Sequence, residues 1–164
     1  MTSRSPELTL SRPGNQPPAD ALVLFGATGD LARRKLFPAL YQLVRRGELK
    51  VPVIGVARSD WTDDDFREHA RQAVTEHVEG ADERVLDELC GRLDLIQGDY
   101  GAPETWRSLA ARLDECGSEV AVFYMAIPPG MFTSVTESLA SVGLNARGRI
   151  VVEKPFGRDL ESAR

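Results

Sequence analysis

Short, mainly apolar runs recur along the chain at 21–25 (Ala-Leu-Val-Leu-Phe), 51–57, 93–97, 120–125 and 149–153. Runs of that length predict strands buried on both faces. Between them, apolar residues return at intervals of three and four, the period of a helix with one buried face. Leu36, Leu40, Leu43 and Val44 predict a helix over 31–46, and Phe66, Ala70, Ala73, Val74 and Val78 a second one. Val85, Leu86 and Leu89 predict a shorter helix after Asp82, and Trp106, Leu109, Ala110 and Leu113 a fourth after Pro103. Val135 and Leu139 mark a fifth, behind Pro128-Pro129. The punctuation agrees with these limits. Thr62 before Asp63, Asp64 and Asp65 is a helix start with acids at the positive end of the dipole. Gly47 and Gly80 are stop signals, Pro38 is expected to bend or restart the first helix, and Asp159 reads as an N-cap after a break at Gly157. Strand and helix alternate throughout, so the class is α/β with a doubly wound parallel sheet. Right-handed crossovers predict the strand order 3-2-1-4-5.

The turn behind the first strand reads Gly26-Ala27-Thr28-Gly29-Asp30-Leu31-Ala32. Glycine tolerates the positive φ of a sharp turn, and without a Cβ it lets backbone approach a pyrophosphate. The helix behind presents free N–H groups and its positive dipole end to that anion. This is the entry to a Rossmann-like dinucleotide-binding unit, with Ala32 in place of the usual third glycine. Asp30 favours the helix dipole but repels a phosphate, so capping and ligand roles both stay open for it. Tight strand-to-helix turns in unrelated α/β proteins also use glycines.

At the end of the second strand stands Ala57-Arg58-Ser59-Asp60. An NAD site normally carries Asp or Glu here for the ribose hydroxyls. Arg58 instead offers a planar cation to a phosphate, and Ser59 adds a hydroxyl. The expectation is NADP over NAD, against the alternative of a solvated arginine; Asp60 is positioned to weaken the preference through a ribose hydroxyl. In this architecture ligands lie beyond the carboxyl ends of the strands. Tyr124-Met125-Ala126-Ile127-Pro128-Pro129 follows strand four, either as a cofactor wall or only as a stiff turn. Glu153-Lys154-Pro155-Phe156-Gly157 follows strand five, where a lysine suits a substrate hydroxyl at the nicotinamide end; a solvated lysine is the alternative. Pro155 is a candidate for a cis bond.

Composition narrows the picture. Over 164 residues the net charge is −5, so a nucleic-acid partner, which calls for a basic excess, is not expected. No apolar run spans a bilayer, and no membrane partner is expected. Residues 1–20 hold four prolines and lack the apolar core of a signal peptide, so they read as a disordered N-terminal tail before a single domain over 21–164. The two cysteines, Cys90 and Cys116, form no CxxC; the expectation is a reduced, cytoplasmic protein with no metal site.

Read jointly, Gly26–Ala32, Ala57-Arg58-Ser59, Gly98-Asp99-Tyr100, Tyr124–Pro129 and Val152-Glu153-Lys154-Pro155-Phe156-Gly157-Arg158-Asp159-Leu160 resemble the glucose-6-phosphate dehydrogenase family, in order and from about Ala21 onward. The resemblance implies oxidation of glucose 6-phosphate at C1, with hydride passed to NADP to give 6-phosphogluconolactone. It implies that Gly26, Thr28, Gly29, Asp30 and Leu31 surround the pyrophosphate and that Arg58 and Ser59 meet the 2′-phosphate. Tyr124, Ala126 and Pro128 would line the cofactor path, with Glu153 beside it. Lys154 would touch cofactor and sugar, and Pro155 would help position the cofactor. The family continues into a substrate domain with a general-base histidine, and its whole proteins are expected to be homodimers or homotetramers. That domain is expected to be absent from this chain: His69 and His77 do not match the base and are expected to be solvated. The chain is therefore expected to be the coenzyme-binding part alone, and inactive by itself. Two other readings compete. Sugar oxidoreductases of the glucose–fructose oxidoreductase type also carry Glu-Lys-Pro after strand five, and a non-catalytic NADP-sensing domain needs no second domain. Short-chain dehydrogenases need Tyr-x-x-x-Lys, and none of Tyr41, Tyr100 or Tyr124 has a lysine four residues on.

Overall fold

Five parallel strands form one sheet in the order β3-β2-β1-β4-β5, as the alternation predicts. They are β1 (Ala21–Phe25), β2 (Val53–Ala57), β3 (Leu93–Gln97), β4 (Ala121–Met125) and β5 (Gly148–Val152). The computed structural model describes residues 17–152. Expectations for Glu153, Lys154, Pro155, Gly157 and Asp159, and for residues 1–16, lie outside them.

The alternating side chains of each strand supply two cores. Leu22, Leu24, Val53, Leu93, Leu95, Val122, Tyr124 and Val151 face one way, against α1 (Phe37–Arg45), α2 (Asp63–His77) and α3 (Glu83–Gly91). Val23, Phe25, Ile54, Val56, Ile96, Phe123 and Met125 face the other way, against α4 (Pro103–Glu115) and α5 (Phe132–Ser141). Burial on both faces is why the runs are continuously apolar rather than alternating. Glycine is needed where an element comes closest to the sheet: a Cβ on Gly55 would lie 2.6 Å from the Phe66 ring of α2.

Several boundaries differ from the sequence pattern, each for a local reason. Of the two outcomes expected at Pro38, a bend or a restart, the first helix shows the restart. A π-helical turn over Ala32–Leu36 precedes α1, and the Phe37 N–H donates to the Ala32 carbonyl, five residues back. Pro38 has no N–H to give, and it sits in the first turn of α1, where none is needed. The widened turn ahead of it absorbs the change in pairing. Strand β4 begins at Ala121 rather than Val120, because the Val120 N–H is taken by the Asp20 carboxylate (3.1 Å). Asp20 also accepts from the Ser118 hydroxyl (2.5 Å) and the Glu119 N–H (2.7 Å). Arg149 donates to the Pro17 carbonyl. Residues 17–20, read as the end of a tail, are thus tied to the turn before β4 and to β5.

Candidate coenzyme site

The glycine-rich turn leaves β1 at the sheet's carboxyl edge, between β2 and β4. Gly26 has φ 76°, and a Cβ there would meet the Ala126 carbonyl oxygen at 2.1 Å. Gly26 therefore serves two needs at once: the left-handed turn and the close passage of the segment leaving β4. The Ala126 N–H continues the β1–β4 ladder by donating to the Phe25 carbonyl (3.0 Å). The Gly29 N–H closes the turn onto the Gly26 carbonyl (3.0 Å), and the Arg33 N–H follows onto the Gly29 carbonyl (3.1 Å). Ala32 is fully buried against the sheet, where a larger side chain would push the helix away.

The Gly26 N–H is engaged within the protein, by the Val56 carbonyl (3.2 Å) and the Tyr100 hydroxyl (2.7 Å). No hydrogen bond joins the N–H groups of Thr28, Asp30 or Leu31 to another described residue. Those three are the donors at the helix entrance that an anion would meet. The Asp30 carboxylate does not cap the helix; it pairs with Arg34 one turn on (2.8 Å), which offsets its repulsion of a phosphate.

Tyr100 carries no signal that sequence reading could have turned into a role, beyond its place in Gly98-Asp99-Tyr100. Its hydroxyl donates to the Val56 carbonyl (2.9 Å) while accepting from Gly26, so it ties the end of β2 to the glycine turn. Its own carbonyl is held by the Trp106 indole N–H (2.9 Å), and its ring packs edge-on to Phe25. Burial pushes the phenol's pKa up, against smaller opposing effects of the Gly26 hydrogen bond and the Arg58 charge. The hydroxyl stays protonated and remains a donor.

The second strand's exit is placed beside this turn. The Ser59 hydroxyl donates to the Thr28 hydroxyl (2.7 Å), so the expected 2′-phosphate residues and the expected pyrophosphate residues share one rim. Arg58 is exposed there, and its Nη1 lies 3.9 Å from an Asp99 carboxylate oxygen. Asp60 accepts from the Gln97 amide (2.9 Å). On the far side, Ala126 is half-buried and Pro128 is exposed ahead of a 3-10 turn over Pro129–Met131. Tyr124 is different: it is buried among the residues that pack against α1 and α2.

His69 corrects an expectation. It is not solvated but half-buried between the Trp61 ring (4.8 Å between centroids) and Phe37 (5.9 Å). Its Nε2 is buried without a hydrogen-bond partner, while Nδ1 lies 3.4 Å from the Arg33 guanidinium. Burial, with help from Arg33 and against Glu76, pulls its pKa down from 6.5. His69 falls on the buried side of α2, one turn after Phe66; the helical period puts it there, and its polarity masked it. His77 is exposed as expected. Among the described residues, no group of three or more His, Cys, Asp or Glu is placed to hold a metal ion. No helix among them is long and apolar enough to cross a membrane.

A doubly wound parallel sheet with a glycine turn at β1, open helix N–H groups behind it and a cation at the end of β2 defines a dinucleotide-binding Rossmann domain. More narrowly, the family model for the glucose-6-phosphate dehydrogenase NAD-binding domain matches residues 23–164, and the chain belongs to that family. Glucose-6-phosphate 1-dehydrogenase 1 of Mycobacterium tuberculosis is 41% identical over 145 residues, covering 88% of this chain and 30% of the relative. The enzyme of Cyberlindnera jadinii is 38% identical over 153 residues, covering 87% and 30%. The crystal structure of the Mycobacterium avium enzyme superposes with a TM-score of 0.80 at 46% identity, over 90% of this chain and 32% of that one. A glucose-6-phosphate dehydrogenase solved in complex with glucose 6-phosphate gives 0.75 at 33% identity, over 87% and 32%. The chain thus spans about 30% of the length of the curated relatives it matches.

Proposed function

We propose that this chain supplies the coenzyme-binding part of an NADP-dependent glucose-6-phosphate dehydrogenase, which oxidises the sugar at C1 to 6-phosphogluconolactone. Family membership and the rim geometry support the reading. The observation that carries it is the meeting of Thr28 and Ser59, which sets Arg58 beside the pyrophosphate turn. In this reading the N–H groups of Thr28, Asp30 and Leu31 border the pyrophosphate, while Gly26 and Gly29, whose N–H groups are engaged within the protein, shape the turn that lets the backbone pass close to it. Arg58 and Ser59 hold the 2′-phosphate, a dianion near neutral pH that an acidic residue there would repel. Ala126 and Pro128 line the path toward the nicotinamide, and Tyr124 supports that wall from the core. Glu153 and Lys154 follow β5, where Lys154 holds the sugar's hydroxyl in line for transfer. NADP, when bound, accepts the C1 hydride. The proton from the C1 hydroxyl goes to a general base that the family resemblance assigns to a histidine in a following substrate domain. The whole protein is a homodimer or homotetramer, and it works in the cytoplasm, where free thiols such as Cys90 and Cys116 persist.

Calorimetric titration with NADP and NAD tests the cofactor reading. Tighter binding of NADP supports it; tighter binding of NAD overturns it.

A further inference from the structure

Two carboxylates lie in the segments around Arg58, Asp60 two residues on after β2 and Asp99 two residues after the end of β3, and they are not equivalent. Asp60 is held by Gln97, so its charge is drawn to the end of β3. Asp99 is fixed in a turn of its own. Its Oδ1 accepts the Gly101 N–H (2.7 Å), and its carbonyl accepts both the Ala102 N–H (3.0 Å) and the Thr105 hydroxyl (2.7 Å). The remaining oxygen, Oδ2, is the one 3.9 Å from the Arg58 guanidinium. The carboxylate is therefore anchored, whereas Arg58 ends a flexible stem.

We propose that Asp99 is a specificity-determining residue: an anchored counter-charge that competes with the 2′-phosphate for Arg58 and so narrows the preference for NADP over NAD. The proposal rests on Arg58 meeting the 2′-phosphate. Without that phosphate, Arg58 leans on Asp99. When the phosphate arrives, the guanidinium turns to it, and the Asp99 carboxylate cannot follow. An unneutralised negative charge is then left beside a ligand group of charge about −2 at neutral pH. NAD brings no charge to that spot and feels none of this. The side chains are 71% and 61% exposed, so the pair is weak and water screens it. A modest adjustment of affinity follows, not a block.

The test is a double-mutant cycle of Asp99→Asn and Arg58→Ala, titrated with NADP, NAD, 2′,5′-ADP and 5′-AMP. Asparagine keeps an oxygen for the Gly101 N–H and removes only the charge. Asp99→Ser, whose hydroxyl also accepts, is a second route should the first variant fold poorly. The expected result is about two- to five-fold tighter binding of NADP and 2′,5′-ADP, the range an exposed ion pair commands. NAD and 5′-AMP should be unchanged. The gain should largely vanish at about 1 M salt, where the Debye length is about 3 Å, and should shrink in the Arg58→Ala background. Unchanged or weaker NADP binding in Asp99→Asn, with Arg58→Ala still losing NADP selectively, overturns the proposal and leaves the cofactor reading standing. Equal losses of NADP and NAD in Arg58→Ala overturn both.

Discussion

Two side chains at the rim act at different depths. Arg58 is exposed and, in the proposed reading, acts on the coenzyme through charge alone, so Arg58→Ala should leave stability nearly unchanged. It should weaken NADP binding by about ten- to a hundred-fold, the value of a charge-assisted contact, with little effect on NAD; parallel titrations check this. Tyr100 is buried and acts through geometry. Tyr100→Phe removes a hydroxyl that joins the Gly26 N–H to the Val56 carbonyl, at an expected cost of about 1–3 kcal/mol in urea unfolding. In the proposed reading the turn holds the pyrophosphate common to both coenzymes, so NADP and NAD should weaken by the same factor. That shared loss distinguishes a prop beneath the turn from a contact with the 2′-phosphate. Arg58 was legible as a cation at a known place in a strand-turn pattern. The role of Tyr100 was not, since it depends on a side chain 74 residues from its partner.

At the scale of elements, α2 links the core to the rim. Thr62 accepts from the Asp65 N–H (3.1 Å), and the Asp65 carboxylate accepts from the Thr62 N–H (2.9 Å), a reciprocal capping box. Thr62→Ala should cost about 1 kcal/mol, seen as a lower denaturant midpoint. One turn on, His69 packs α2 against both Phe37 of α1 and Trp61 of the segment that follows Arg58. Its pKa is lower in the folded protein than its ordinary 6.5. Above 6.5 the imidazole is neutral in both states. As pH falls below 6.5 the unfolded chain takes up the proton first, so stability drops, and it keeps dropping until pH passes the folded value. Chemical unfolding between about pH 7.5 and 5.5 should show this slope. His69→Phe, which keeps a ring between Trp61 and Phe37, should flatten it. The helix start at Thr62 was legible from adjacent letters; the return bond from Asp65 came with the structure. The half-buried histidine was not, because a polar residue on a mostly polar helix gives no hint of which neighbours will cover it.

At the scale of the whole molecule, the chain is a coenzyme domain about one third the length of the solved relatives it superposes on. Binding and turnover should therefore separate. The purified 164-residue chain is expected to bind NADP but to give no NADPH from glucose 6-phosphate, followed at 340 nm. Turnover above background would refute the assignment of the general base to a following domain. The sheet order was legible because parallel strands joined by right-handed crossovers admit few alternatives. The ends of elements were less so, since they depend on distant partners: the Asp20 carboxylate takes the N–H that would have begun β4 at Val120.

From the sequence alone came the five strands and their order, the glycine turn, the cation after β2 and the family. The strands, the turn and the cation rest on short-range rules of period, turn chemistry and backbone freedom; the strand order rests on the handedness of crossovers, and the family on a resemblance of motifs taken in order. Only the tertiary structure decided that Tyr100 bolts the turn to β2, that His69 is wedged between Trp61 and Phe37 and that Asp99 stands against Arg58. Those relations join side chains tens of residues apart, and packing of the sheet and its helices, not local preference, sets which of them meet.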